Sequence, residues 1–114
     1  MKIFRIAQNI TVYRGEGSYN KGGNYFTTDR EWARQFTQSG RDFEIQSFLI
    51  PSEAIYTAFE LPKAYDEASF DKGIFEAQEN GFSSFWVDEG SGQPNSIYVI
   101  DKGILIEVQN NEDL

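Results

Sequence analysis

The sequence contains no histidine and no cysteine among its 114 residues. These absences exclude Ser-His-Asp and Cys-His catalysis and the usual zinc sites, because each of them needs an imidazole or a thiolate. Any chemistry must therefore use carboxylates, tyrosines, lysines, arginines, hydroxyl groups or backbone amides. An all-oxygen magnesium or calcium site stays open, although the spacing of an EF-hand loop is not present.

Long apolar runs are also missing. No stretch approaches the roughly 18 apolar residues that a membrane-spanning helix needs, so no membrane partner is expected. The segment Met1 to Arg5 has charges inside its apolar stretch and no small-residue cleavage site, which argues against a signal peptide. Without an export signal or a cysteine, the cytoplasm is the expected compartment.

Positive charge is scarce, with 10 basic residues against 18 acidic ones and a net charge of −8. Such a chain repels phosphate backbones at long range, so nucleic acid is not an expected partner. The simplest interpretation is a soluble acidic protein. The alternative is an acidic surface that docks on a basic partner or mimics nucleic acid.

The composition supports one folded domain over residues 1–114, since 39% of the residues are hydrophobic and 16% are aromatic. Hydrophobic patterning gives strands, a helix, strands, a second helix and further strands, which predicts a compact α+β fold. The predicted strands cover residues 3–6, 10–14, 43–50, 55–59, 82–87, 97–100 and 104–108.

The first helix is predicted to begin with a capping box. The Thr28 and Glu31 side chains would each accept a hydrogen bond from the other's backbone amide. The helix should run to about Gln38 and end at Gly40. Its buried face is predicted to carry Trp32, Ala33 and Phe36.

The second helix is predicted to begin at a cap formed by Asp66 or Ser69 and to end at Asn80 and Gly81. Further on, Asp101-Lys102-Gly103 is predicted to be a tight turn that joins the last two strands as a hairpin.

Arg14 ends an apolar strand and is followed by Gly15. A guanidinium fits a phosphate or a carboxylate through two parallel hydrogen bonds, and a glycine lets a ligand approach the backbone. The alternative is a strand-end arginine in a surface ion pair. Gly15-Glu16-Gly17 is not a dinucleotide fingerprint, because the third glycine is replaced by Asn20 and no helix follows; nor is it a P-loop, which requires Gly-Lys-Ser/Thr.

A cleft is expected if Phe26 and Thr27 lie beside Arg14 across a sheet, with the amides of the following helix near it. An aromatic wall, a hydroxyl and a cation would suit an anionic aromatic nucleotide. Asp88 and Glu89 form an acidic pair at a strand end. They are either a solvated turn or the source of a carboxylate that stabilises a cationic sugar centre.

Taken together, these segments resemble the ADP-ribosyltransferase fold in a minimal form. That family opens on a strand ending in Arg-Gly or His-Gly, as in Val12-Tyr13-Arg14-Gly15. It continues with an aromatic and hydroxyl-rich segment leading into a helix with an alanine, as in Gly23 to Thr28 and Ala33. The C-terminal part of the family pattern is matched by Asn80-Gly81-Phe82, Phe85 to Glu89, Ile97 to Asp101 and Ile104.

The resemblance implies a split β-sheet with two main helices, NAD as the substrate and a protein as the acceptor. It implies that Arg14 contacts the nicotinamide ribose or phosphate, and that the Gly15 backbone holds the carboxamide. Thr27 would brace the cleft, and Tyr25 or Phe26 would pack near the nicotinamide ring. The implied NAD-binding set is Tyr13, Arg14, Gly15, Tyr25, Phe26, Thr27 and Thr28.

The chain departs from the family pattern at its acid. Many members carry a glutamate at the start of the penultimate strand, where this sequence has Ser96. The implied catalytic residues are therefore Arg14 with either Asp88 or Glu89. A family variant with an acid after a Gly-Tyr-x-Ser segment favours Asp88. Otherwise transfer activity is lost, and the chain is a binding or inhibitor protein that acts through its acidic surface.

Small family members of this size resemble toxins, phage effectors and anti-CRISPR proteins that modify one host protein. The resemblance thus implies the host cytoplasm for a phage-encoded protein.

Overall fold

The computed structural model describes residues 8–17 and 22–108, so the strand predicted at 3–6 lies outside the described residues. The strands are β1 (Asn9–Gly15), β2 (Tyr25–Thr27), β3 (Ile45–Pro51), β4 (Ser84–Val87), β5 (Ser96–Val99) and β6 (Ile106–Glu107). The helices are α1 (Arg30–Arg34) and α2 (Glu67–Glu79), with short 3-10 helices at Asp42–Glu44, Ser52–Ala54 and Lys102–Ile104.

The six described strands form one antiparallel sheet in the order β4-β5-β2-β1-β3-β6. With the two helices they confirm the predicted α+β class. The half β4-β5-β2 meets the half β1-β3-β6 at a single paired position, Tyr13 with Thr27. The described strands thus form one continuous sheet, where the resemblance implies a split one.

The predicted hairpin between the last two strands is wrong. β6 pairs with β3, and β5 lies between β4 and β2. Residues 102–104 coil into a 3-10 turn, in which the Asp101 carboxylate accepts a hydrogen bond from the Gly103 amide at 2.9 Å. A two-residue hairpin reverses the chain onto its neighbour, whereas this turn carries it to the opposite edge of the sheet.

The two faces of the sheet bury separate apolar clusters, because successive strand residues point to opposite sides. One face carries a cluster built on Val12, Phe26, Ile50, Ile97 and Val99. The other face carries Phe85 and Val87, with Ala77 of α2 packed on them. Tyr13 of β1, Thr27 of β2 and Ser96 of β5 belong to neither cluster.

Helix α1 differs from its prediction at both ends. Asp29, not Thr28, is the N-cap, and its carboxylate accepts from the Trp32 amide at 3.0 Å. Thr27 supports this start because its hydroxyl oxygen accepts from the Asp29 amide at 3.0 Å. The helix ends at Arg34 instead of Gln38, and the Thr37 hydroxyl donates to the Arg34 carbonyl at 2.6 Å. The predicted capping box is therefore wrong.

The early end of α1 changes its apolar face. Ala33 is buried as predicted, and Trp32 is partly buried. Phe36, which was predicted as core, is 48% exposed and lies beyond the helix. Its ring contacts that of Trp32 edge-on, with 5.5 Å between the ring centroids.

Helix α2 begins as predicted at Asp66, whose carboxylate accepts from the amides of Ala68 and Ser69. Packing explains the glycine at position 73 inside α2, since a Cβ there would lie 2.4 Å from Cγ of Pro62.

The strand predicted at 55–59 is reduced to one parallel bridge between Tyr56 and Phe85. Among the described helices, none combines the length and the apolar character needed to cross a membrane.

The strand predicted at 43–50 begins later, at Ile45, because residues 42–44 form a 3-10 helix. Phe43 is consequently 76% exposed and lies outside β3.

Candidate functional site

A cleft of 390 Å³ opens between α1 and the ends of strands β1, β2 and β5. This volume lies in the range of small-molecule sites. The walls are formed by Tyr13, Arg14, Gly15, Gly23, Tyr25, Phe26, Thr27, Trp32, Ala33, Phe36, Ala64, Glu89 and Ser96. Six of the seven residues expected to bind NAD are in this set, and the exposed Thr28 is not.

Register places three polar side chains in one row across the sheet. Tyr13 of β1 pairs with Thr27 of β2, and Thr27 pairs with Ser96 of β5. Paired residues in neighbouring strands point to the same face. The row therefore forms the floor of the cleft, and the hydrogen bond from the Asp29 amide to Thr27 ties this floor to the start of α1.

Arg14 lies one position after Tyr13 and shares the face of Val12. Its guanidinium is 6% exposed and donates to the Tyr25 carbonyl at 2.9 Å and to the Glu16 carboxylate at 3.3 Å. A Cβ on Gly23 would lie 2.5 Å from its terminal nitrogen, so Gly23 makes room for the guanidinium. These contacts brace the end of β1 against the segment entering β2. The resemblance implies that Arg14 contacts the ribose or phosphate of NAD. In the structure its guanidinium instead contacts other groups of the protein.

The carboxylate that pairs with Arg14 also holds the returning chain. Glu16 accepts from the Gly22 amide at 3.0 Å, and this hydrogen bond, with help from Arg14, holds the pKa of Glu16 below its ordinary value despite partial burial. A carboxyl with a lowered pKa stabilises the folded state above its unfolded pKa. That stabilisation is lost as the pH falls through the folded pKa.

Glu16→Gln should therefore lower the free energy of unfolding by about 2 kcal/mol at pH 7, because it removes a charge-assisted contact to a buried guanidinium. Below the folded pKa of Glu16 the difference should vanish, since the wild-type carboxyl is then neutral as well. Urea unfolding of both proteins at a series of pH values between 7 and 3 measures this. A difference that stays constant with pH would contradict the assigned ion pair.

The space that a side chain of residue 15 would need is occupied by the backbone of α1 and not by an opening for a ligand. A Cβ there would lie 2.0 Å from the carbonyl oxygen of Ala33. The glycine thus allows the backbone of α1 to pack directly against β1, which sets the width of the cleft between the helix and the sheet.

The two acidic candidates, Asp88 and Glu89, differ in their position relative to the cleft. Glu89 lines the cleft, whereas Asp88 does not. The Asp88 carboxylate accepts from the Gly90 amide at 2.8 Å, and its backbone bonds to Pro62 and Ala64. The geometry therefore favours Glu89, although the family variant favoured Asp88.

The residue at the expected acid position contacts this carboxylate. The hydroxyl of Ser96 donates to Oε2 of Glu89. Ser96 is 4% exposed and is fixed in β5, so it orients an acid that comes from the end of the neighbouring strand β4. The carboxylate thus reaches the cleft from a different strand than in the family pattern.

Tyr25 forms the aromatic rim beside Glu89. Its ring stacks on Phe70 with centroids 5.9 Å apart and meets Tyr98 edge-on at 5.1 Å. Burial, together with the negative charge of Glu89, raises the pKa of Tyr25 to about 12. Like an ordinary tyrosine, it is a neutral hydrogen-bond donor at physiological pH.

Sequence reasoning missed part of the wall. Trp32 and Phe36 were interpreted as core because their spacing matches a helix face, but both line the cleft, Trp32 from within α1 and Phe36 from beyond its end. No pattern in the sequence around Ala64 indicates that this residue lines the cleft. Its amide bonds to the Asp88 carbonyl at 3.0 Å, which brings it to the site.

Among the described residues, no group of three or more histidine, cysteine, aspartate or glutamate side chains could hold a metal ion. In comparisons with known proteins, the chain matches no family model, no curated protein and no solved structure.

Proposed function

We propose that this protein is an NAD-dependent mono-ADP-ribosyltransferase that modifies a protein. One observation carries the proposal: residues from three separate parts of the sequence, 13–15, 25–27 and 89, surround one cleft. Each part was singled out by the resemblance to the family. The aromatic walls supply a stacking surface for nicotinamide, and Glu89 supplies the acid.

The proposed reaction breaks the bond between the ribose carbon and the nicotinamide nitrogen, and the bonding electron pair leaves with nicotinamide. Positive charge develops on the ribose at that moment, and a carboxylate held nearby stabilises it. The acceptor side chain then bonds to the ribose carbon and releases its proton. Ser96 keeps the Glu89 carboxylate oriented, so little reorganisation is needed during the reaction.

A second candidate is a protein that binds NAD or a partner without turnover. Two features favour it: Ser96 stands where the family carries its acid, and the Arg14 guanidinium is engaged by Glu16 and Tyr25. The net charge of −8 would attract a basic partner in that case.

Incubation with NAD labelled in its adenylate part, together with a lysate of candidate host cells, tests the first proposal. Transfer of label to a protein and release of nicotinamide are expected. Calorimetric binding of NAD with neither product would leave the binding protein as the function. Absence of both binding and turnover would reject an NAD site altogether.

A further inference from the structure

We propose that a groove on the face of the sheet opposite the floor of the cleft binds a free amino acid with a large apolar side chain. Lys102 binds the carboxylate of this ligand, Glu107 binds its ammonium group, and the rings of Phe26 and Phe48 contact its side chain. The site is separate from the proposed NAD site and does not depend on transferase activity.

This rear groove has a volume of 260 Å³ and lies beside strands β1, β3 and β6. The side chains of Phe48 and Glu107, which are paired, lie on one face of the sheet with that of Gln46. That face is opposite to Tyr13, whose partner in β3 is Ser47. Drug-sized sites have volumes of about 300 to 1,000 Å³, so the rear groove suits a ligand as small as an amino acid. Its walls are formed by Arg14, Glu16, Gly23, Phe26, Gln46, Phe48, Lys102, Leu105 and Glu107.

The floor of the rear groove is apolar. The buried ring of Phe26 meets the ring of Phe48 at 86°, with 5.6 Å between the ring centroids, and the partly buried Leu105 lies beside them. Two perpendicular rings present a corner that can contact an apolar side chain with a face and an edge. Removal of such a side chain from water is the largest favourable contribution that this groove offers a ligand.

The charged side chains on the walls are two cations and two carboxylates. Arg14 and Glu16 contact each other at 3.3 Å, so each offsets the charge of the other. The remaining two are Lys102 and Glu107, and within residues 8–17 and 22–108 neither of them forms an ion pair. The groove therefore presents one cation and one carboxylate to a ligand above an apolar floor.

The position of the Lys102 ammonium is fixed by the backbone that enters β2. It donates to the Gly22 carbonyl at 2.7 Å and to the Gly23 carbonyl at 3.4 Å. An ammonium group has three protons, so one is left for a carboxylate. Glu107 lies on the edge strand β6 and is exposed. A ligand with both an ammonium group and a carboxylate gains from both side chains, whereas a ligand with one charge gains from one of them.

Nuclear magnetic resonance titration of the ¹⁵N-labelled protein with L-phenylalanine tests the inference, because backbone amide signals report both the affinity and the place of binding. The amides of Gln46, Lys102 and Leu105 should shift as the amino acid saturates the protein. Glycine has the same charges without the side chain and should bind at least about tenfold more weakly. L-Phenylalaninamide and N-acetyl-L-phenylalanine each lack one charge and should each bind about three- to fivefold more weakly.

Two variants assign each charge of the ligand to its partner. Lys102→Gln removes the cation and keeps an amide that can donate to the Gly22 carbonyl. In this variant L-phenylalanine and L-phenylalaninamide should bind equally. Glu107→Gln should likewise abolish the difference between L-phenylalanine and N-acetyl-L-phenylalanine. Lys72→Gln and Glu53→Gln remove the same charges at exposed positions outside the rear groove and should keep both differences.

Shifts at Thr27 and Ser96 without shifts at Gln46 and Lys102 would place the amino acid in the cleft and overturn the inference. Equal affinity for L-phenylalanine and glycine would do the same, as would charge preferences that survive in both variants or the absence of any shift at millimolar ligand. None of these results depends on NAD, so failure of this inference and failure of the proposed transferase activity are distinguishable.

Discussion

Glu89→Gln is expected to lower the rate of nicotinamide release from NAD by about a hundredfold or more. Removing one group that stabilises charge in the transition state typically costs a factor of 10² to 10³. Glutamine keeps the size of the side chain and an oxygen that can accept from Ser96, so the fold of the cleft is preserved. Chromatographic measurement of nicotinamide under saturating NAD gives the rate for both proteins.

Asp88→Asn is the matched comparison, since it removes the same charge one residue away and keeps an acceptor for the Gly90 amide. Its rate should fall by no more than about threefold, because Asp88 holds the turn and does not line the cleft. A larger loss in Asp88→Asn than in Glu89→Gln would return the catalytic assignment to Asp88. Thermal unfolding of both variants excludes a general loss of structure.

Gly15→Ala is expected to destabilise the folded state by about 3 kcal/mol, at the upper end of what overpacking costs. The new methyl group would meet the backbone carbonyl of Ala33 at 2.0 Å, and a backbone atom cannot move aside as a flexible side chain can. The strain should push α1 away from β1 and change the width of the cleft. Urea unfolding measures the stability.

Gly81→Ala provides the control for this prediction. Gly81 has a positive φ of 82° and no atom within 4 Å of its built Cβ. Its replacement should cost only about 1 kcal/mol, the backbone penalty of a left-handed position. Equal costs at both glycines would show that the contact between β1 and α1 does not constrain residue 15.

Local signals in the sequence predicted much of the fold. The alternation around Val12 and the cap at Asp66 gave the first described strand and the second helix, because both depend on neighbouring residues. The pairing of strands was harder to predict from the sequence. Nothing local distinguishes a β6 that returns to β5 from one that crosses to β3, since the choice depends on which sheet edge is already occupied.

Site residues that lie at the ends of strands could be predicted from the sequence. The short motifs at 13–15 and 25–27 meet because β1 and β2 are paired, which is the condition on which the expected cleft depends. The choice between Asp88 and Glu89 could not be made from the sequence, since adjacent side chains leave a turn in different directions. The partnership of Arg14 with Glu16 and Tyr25 also depends on tertiary geometry.

The pairing of β6 with β3 has a consequence for synthesis of the protein on the ribosome. β6 emerges last among the described elements, after nearly half of the chain has followed β3 out of the exit tunnel. Until then, one side of β3 presents unpaired amides and carbonyls that a strand from another chain could occupy. The nascent protein must therefore wait for β6 before Phe48 and Leu49 on that side of β3 are paired.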